Sequence, residues 1–292
     1  MENPKVCVIM PVYNGEATIK LALQSLLVQS YAEWECVIVN DGSTDGTKFF
    51  LDSLNDKRFK IIHLDKNTGR GFARQTGLDN AAGKYLAYLD ADDFYHKDKL
   101  KKQVEFLENN PSIDLVATQL LTFNSKFYPT TMRVTQKTSV PVHFKFGNEL
   151  SISMATAMIR LPKAKTIKYN AKLNATEDID YFTKYLDGGI YFNIPDIMYY
   201  YLVSDETTTY RKILQFTLDD IKRGWYVFKR KKSYSLLIIG KTSIKWIIYI
   251  CFIPLLGVNF FLWKRGVAPS QDEINNFEQQ LITLTTNETI NQ

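Results

Sequence analysis

Between residues 6 and 89, short apolar runs alternate with amphipathic ones, and this alternation narrows the possible folds more than any other feature of the chain. Val6–Pro11 (VCVIMP), Trp34–Val39 (WECVIV), Phe59–Leu64 and Lys84–Leu89 read as buried strands. In the first interval, Thr18–Gln29 places Ile19, Leu21, Ala22, Leu23, Leu26 and Leu27 at helical spacing, after the turn residues Asn14 and Gly15. Thr44–Leu54 and Phe72–Ala82 supply the next two helices. Repeated strand–helix units of this length predict an α/β fold with a mostly parallel central sheet flanked by helices.

In a parallel sheet the carboxyl ends of the strands share one edge, where ligands bind. Four polar stretches fall there: Pro11–Asn14, Asn40–Asp45, Asn67–Arg74 and Asp90–Asp93. The last ends the run KYLAYLDADDFY, in which Asp90, Asp92 and Asp93 would repel one another without a cation between them. Asp90 and Asp92 project to the same side of an extended chain, so one divalent ion can meet both. The competing reading makes Asp92 or Asp93 the N-cap of a helix from about Lys97 to Glu108. Asp41 can accept hydrogen bonds from a base edge or a ribose hydroxyl, or can close an Asx-turn. In NTGRGFAR two glycines allow close backbone approach, and Arg70 and Arg74 suit a diphosphate. This is neither a Walker loop nor the dinucleotide fingerprint.

At 292 residues the chain fits one large domain, or one domain with an appendage. The net charge is +5, and Lys222, Arg223, Lys229, Arg230, Lys231 and Lys232 cluster late. A nucleic-acid binder more often spreads its basic residues along a core domain, so no nucleic-acid partner is expected. Cys7, Cys36 and Cys251 lie far apart in apolar runs, and His63, His96 and His143 are equally scattered. They read as buried small hydrophobes and isolated imidazoles, not as a disulfide framework or a Cys/His metal site. Strand-like sequence begins almost at once, without a signal peptide, which predicts a reducing, cytoplasmic setting.

Farther along, Asp114–Phe123 and Met154–Arg160 read as strands, Asn124–Phe146 as a polar excursion or hairpin, and Asp178–Leu186 and Ile213–Phe228 as helices. Trp246–Trp263 (WIIYICFIPLLGVNFFLW) carries no charge. As a helix it would span about 27 Å, barely a bilayer core, with tryptophans and Lys245, Lys264 and Arg265 at its ends. Pro254, Gly257 and Asn259 argue against a straight span, so an in-plane or re-entrant membrane contact is expected in preference to a buried hairpin. The polar residues after Pro269 read as a loose tail.

Four stretches together carry a resemblance: VIMPVYNGEATIKLALQSLLVQSY, VIVNDGSTDGT, NTGRGFARQTGLDNAAGKYLAYLDADD and ATEDIDYF. Over about Pro4–Tyr201 the chain resembles the family 2 inverting glycosyltransferases with the GT-A fold, of the bacterial cell-surface polysaccharide and lipopolysaccharide type. The resemblance implies a glycosyltransferase domain at 1–210, divided into a nucleotide-sugar half (1–110) and an acceptor half (111–210). Membrane-associating helices would follow at 211–268 and a polar tail at 269–292.

Carried over position by position, the resemblance implies that Pro11, Tyr13 and Asp41 border the nucleoside of the donor. By the composition of their loop, Gly69, Arg70 and Arg74 would lie along its diphosphate. Asp90 would hold the ribose and metal region, and Asp92 would ligate Mg²⁺ or Mn²⁺. Asp178 would be the general base, although Thr176 could equally make Glu177–Asp178 a capped helix start. The donor implied is a nucleoside-diphosphate sugar, with UDP expected, and the acceptor a glycan or lipid-linked hydroxyl at the cytoplasmic face of the plasma membrane.

The chain departs from the family pattern at Gln75, where relatives often carry Asn. It departs again at Tyr199–Tyr210, which lacks a histidine near the metal and leaves Ser204, Asp205 or water to substitute. KRGWY at Lys222–Tyr226 does not match the Gln-x-x-Arg-Trp signature of processive synthases, so addition of single sugars is expected. Two other readings are a nucleotidyltransferase acting on a sugar phosphate and a catalytically silent nucleotide-sugar-binding module.

Overall fold

A computed structural model describes residues 5–133, 140–146, 150–173, 175–203, 210–227, 232–256 and 266–286. The alternating first third folds as its periodicity predicts, into β1 (Val6–Val12), α1 (Ile19–Leu27), β2 (Trp34–Asn40), α2 (Thr47–Asp52), β3 (Phe59–His63), α3 (Arg70–Asn80) and β4 (Tyr85–Tyr88). Both faces of these strands are covered. Along β1, Val6, Val8, Met10 and Val12 pack beneath α1, α2 and the later helix α4 (Lys99–Asn109), while Cys7 and Ile9 face α3.

The second half adds β5 (Phe94–Tyr95), β6 (Leu115–Phe123), β7 (Pro129–Arg133), β8 (Val142–His143), β9 (Met158–Arg160), α5 (Leu161–Ala164), α6 (Glu177–Tyr185) and β10 (Ile190–Leu202). One ten-stranded sheet results, in the order β3-β2-β1-β4-β9-β6-β10-β5, with β7 on β6 and β8 on β10. The expected mostly parallel sheet is instead mixed. β3, β2, β1 and β4 pair in parallel, as do β6 and β10. β9 is inserted antiparallel between β4 and β6. The reason is the path of the chain: a short 3₁₀ turn at Met154–Thr156 lies on the carboxyl edge of the sheet, so β9 enters from that edge and runs against its neighbours. The carboxyl ends of β1, β2, β3, β4, β6 and β10 still share one edge.

Asn124–Phe146 begins as the hairpin of β6 with β7; residues 134–139 lie outside the described residues. β10, thirteen residues long, was not evident as a strand because Pro195 interrupts it, and its register against β6 shifts between Ile194 and Tyr199.

Two helices follow, α7 (Tyr210–Val227) and α8 (Lys232–Leu256), packed along each other. A Cβ on Gly224 would stand 2.6 Å from Ile239 Cγ1, so only glycine permits this close crossing. The Ser235 hydroxyl donates to the Gly224 carbonyl at the same point. The apolar segment from Trp246 enters α8, while its residues 257–263 lie outside the described residues. Among the described residues no helix is long and apolar enough to cross a membrane.

Most of the expected loose tail after Pro269 is helical, and residues 287–292 lie outside the described residues. Gln271–Thr286 forms α9, whose Phe277 and Leu284 are fully buried in a cluster with Phe94, Leu121, Phe123 and Tyr200. Three apolar side chains at helical spacing bury enough surface to hold an otherwise polar helix, with Leu281 packed at the edge of the same cluster.

Candidate functional site

The sequence-predicted residues fall into two adjoining groups on the carboxyl edge. The first is a knot of loops. Asn14, in the left-handed conformation (φ 52°), donates its backbone N–H to Ser43 Oγ and accepts from the Thr44 N–H at 2.8 Å. Asp41, only 4% exposed, accepts hydrogen bonds from Thr68 N and Thr68 Oγ1, both at 2.7 Å, and from Gly69 N at 2.9 Å. Asp41 thus ties the end of β2 to the loop before α3, which sets the height of Gly69 and Arg70. Gly69 has φ +90°, which disfavours any side chain there. Pro11 is half-buried at the end of β1, and Tyr13 stands 48% exposed above it.

The second group lines a cavity of about 200 Å³ and includes Arg70, Arg74, Asp90, Glu177 and Asp178. Arg74 is its hub. From α3 the Arg74 guanidinium donates through Nη1 to Glu177 Oε1 at 2.6 Å and through Nη2 to Asp90 Oδ1 at 3.0 Å. Burial opposes the Arg74 charge, but the carboxylates of Asp90, Glu177 and Asp178 outweigh it and hold the guanidinium firmly protonated. The second oxygen of Glu177, Oε2, is buried and has no hydrogen-bond partner. Burial, only partly offset by Arg74 and reinforced by Asp178, pushes the Glu177 carboxyl up.

The two arginines therefore divide. Arg74 is occupied within the protein, whereas Arg70, which also lines the cavity, is exposed. Asp178 is half-buried in the first turn of α6, and its Oδ1 accepts from Ile179 N.

The three acids after β4 separate as well. Asp93 caps no helix, and the residue preceding α4 is Asp98. The buried Asp93 carboxylate accepts from the Tyr199 hydroxyl at 2.7 Å and from Leu202 N at 2.8 Å, joining the turn to β10. Burial, with Asp92 and Asp90 nearby, raises the Asp93 carboxyl well above its ordinary range. Asp90 lines the cavity; Asp92, two residues farther on, is half-buried and is not one of its lining residues.

Among the described residues, no group of three or more His, Cys, Asp or Glu side chains is arranged to hold a metal ion. Two hard carboxylates at one strand end nevertheless fit the way Mg²⁺ or Mn²⁺ is bound at phosphate sites, with one or two protein oxygens and the rest from substrate and water. Ser204 and Asp205, possible substitutes for a missing histidine, lie outside the described residues.

Sequence reasoning missed the opposite wall. Leu120 of β6, Met154 and Ala155 of the 3₁₀ turn, Tyr201 of β10 and Phe216 of α7 make it apolar. Only Phe216 carried a signal, as an apolar member of a helical repeat that is left 45% exposed.

A parallel half-sheet, an inserted antiparallel strand and acids at the carboxyl edge are the features of a GT-A-type glycosyltransferase fold. Staphylococcus aureus TarS (residues 1–349, in complex with UDP-GlcNAc) shares it, with a TM-score of 0.63 and 21% identity over 96% of this chain and 80% of that one. A profile described as Glycosyl transferase family 2 matches residues 7–167. EpsE of Bacillus subtilis (strain 168), provisionally named a glycosyltransferase, is 31% identical over 273 residues, 90% of this chain and 95% of EpsE. The chain belongs to glycosyl transferase family 2.

An Escherichia coli relative, the UDP-Glc:alpha-D-GlcNAc-diphosphoundecaprenol beta-1,3-glucosyltransferase WfgD, is 39% identical over 113 residues, 38% of this chain and 45% of WfgD. The chain spans less than half the length of several curated relatives it matches.

Proposed function

We propose that the protein transfers a single sugar from a UDP-sugar to a hydroxyl of a glycan or lipid-linked acceptor, with inversion, at the cytoplasmic face of the plasma membrane. The observation that carries this reading is the placement of Asp178 and Asp90 on one cavity, 88 positions apart in sequence, between a strand end suited to a nucleotide and an apolar wall. The names of the relatives support the substrate classes: a UDP-GlcNAc complex for TarS, and a diphosphoundecaprenol-linked acceptor for WfgD.

In this reading Asp178 accepts the acceptor hydroxyl's proton while that oxygen bonds to the anomeric carbon. The bond from that carbon to the β-phosphate oxygen breaks on the opposite face, and UDP leaves with the electron pair. Arg70 meets the diphosphate, and Arg74 fixes Asp90 and Glu177 so that Asp178 meets the acceptor from a set direction. Mg²⁺ or Mn²⁺ held by Asp92 and Asp90 would neutralise charge on the leaving diphosphate. Tyr13 and Pro11 border the nucleoside, above the loop knot that Asp41 secures.

Asp178→Asn keeps the shape and removes the base. Against a panel of nucleotide sugars with Mn²⁺, this variant should bind its donor as wild type does, while turnover falls roughly 10²- to 10⁴-fold. Undiminished turnover would remove Asp178 as base. A wild type that binds donors but turns over none would favour a silent binding module.

A further inference from the structure

α8 has two apolar faces, of which the protein uses one. Ser235, Ile238, Thr242 and Ile253 are buried. Leu236, Ile244, Ile247, Ile248 and Phe252 are instead between 40% and 61% exposed. At 3.6 residues per turn these five fall within an arc of roughly 160°, opposite the buried positions. Lys241 and Lys245, both exposed, lie along one edge of that arc. Residues 232–256 contain no Asp or Glu. Upstream, Lys222 and Arg223 are paired with Asp219 and Asp220, whereas Lys241 and Lys245 bring positive charge to this face itself.

From this geometry we infer that the outer face of α8 lies in the plane of an anionic lipid bilayer and sets the mouth of the cavity at headgroup level. The arrangement is that of an in-plane helix: a continuous apolar stripe enters the acyl boundary, and lysines at its edge meet anionic headgroups. A second copy of the same face is a poor occupant, because two acid-free cationic surfaces would oppose each other. A spanning role does not fit a helix whose inner face packs on α7. The link to the site is direct, since α7 carries Phe216 onto the apolar wall of the cavity. A lipid-anchored acceptor lying in the bilayer would thus present its polar head along that wall, toward Asp178. This last step rests on the proposed transferase activity; the membrane face does not.

The test is co-sedimentation of the full chain with vesicles of phosphatidylglycerol and phosphatidylcholine, compared with phosphatidylcholine alone. Parallel arms use Ile244→Glu/Ile248→Glu, Lys241→Glu/Lys245→Glu, and UDP-sugar hydrolysis in solution. The expected result is at least a tenfold preference for phosphatidylglycerol vesicles, weakened at high salt and lost in both double variants, with donor hydrolysis unchanged. Wild-type pelleting that persists in both variants, or its absence, overturns the inference. So does a wild-type dimer that the variants dissolve, since a second copy would then cover the face. Vesicle binding without any donor hydrolysis would remove the proposed activity and leave the membrane face standing.

Discussion

Arg74 bridges two acids far apart in sequence, Asp90 and Glu177, and its removal should show how far the site depends on it. Arg74 is 7% exposed and both terminal nitrogens of its guanidinium are bonded, one to Asp90 and one to Glu177. Arg74→Met would leave a buried carboxylate uncompensated, so a loss of about 3–5 kcal/mol in urea unfolding is expected. Glu177→Gln should cost far less, because an amide needs no counter-charge.

Two buried groups also give stability opposite dependences on pH. The Glu177 carboxyl is raised from 4.5 to about 7. Its contribution is therefore full below pH 4.5 and is lost as pH rises toward 7. Burial alone lowers the Lys99 ammonium from 10.5 to about 7; its Nζ donates to Gln103 and sits 4.2 Å from the centre of the Tyr95 ring. A depressed lysine contributes fully above pH 10.5, and that contribution is lost as pH falls toward 7. Wild-type stability minus that of Glu177→Gln should thus fall between pH 4.5 and 7. Wild type minus Lys99→Met should rise between pH 7 and 10.5. Urea midpoints measured across pH would check both slopes, and a flat difference for either pair would refute the corresponding assignment.

Among the elements, α9 joins the chain end to the acidic strand end. The Phe277 ring lies 5.8 Å from Phe94, 5.6 Å from Phe123 and 5.3 Å from Tyr200. Phe94 immediately follows Asp92 and Asp93. Phe277→Ala should cost about 3–5 kcal/mol in urea unfolding. It should also weaken UDP binding in the presence of Mn²⁺, while Phe277→Leu restores most of both. What was legible in the sequence follows the same physics. Strands buried on both faces and strongly periodic helices were readable, because their signal is local. α9 was not, since Phe277, Leu281 and Leu284 are diluted by Gln, Asn and Thr, and their value depends on a cavity built by β5, β6 and β10. The strand-end acids were legible as a group. The ties of Arg74 to Glu177 and of Asp93 to β10 were not, because each joins residues more than 100 positions apart.

In the whole molecule the C-terminal part does two jobs that a truncation would confuse. α8 offers an apolar face outward, whereas α9 returns to plug the core beside β5. A chain ending at residue 231 would lose both. It should expose Phe94, Phe123 and Tyr200, whose burial against α9 is worth about 25 cal/mol for each Å² of apolar surface. Such a chain should aggregate or unfold at lower urea and bind UDP weakly, so its absence from membranes would say little about α8. Lys241→Glu/Lys245→Glu changes only charges on an exposed edge, and should leave urea midpoint, monomer size and donor turnover at wild-type values. Comparing the two proteins by urea midpoint and UDP binding separates the jobs. If the truncated chain were as stable as wild type and bound UDP equally well, α9 would be an ornament of the fold and not a support of its acidic strand end.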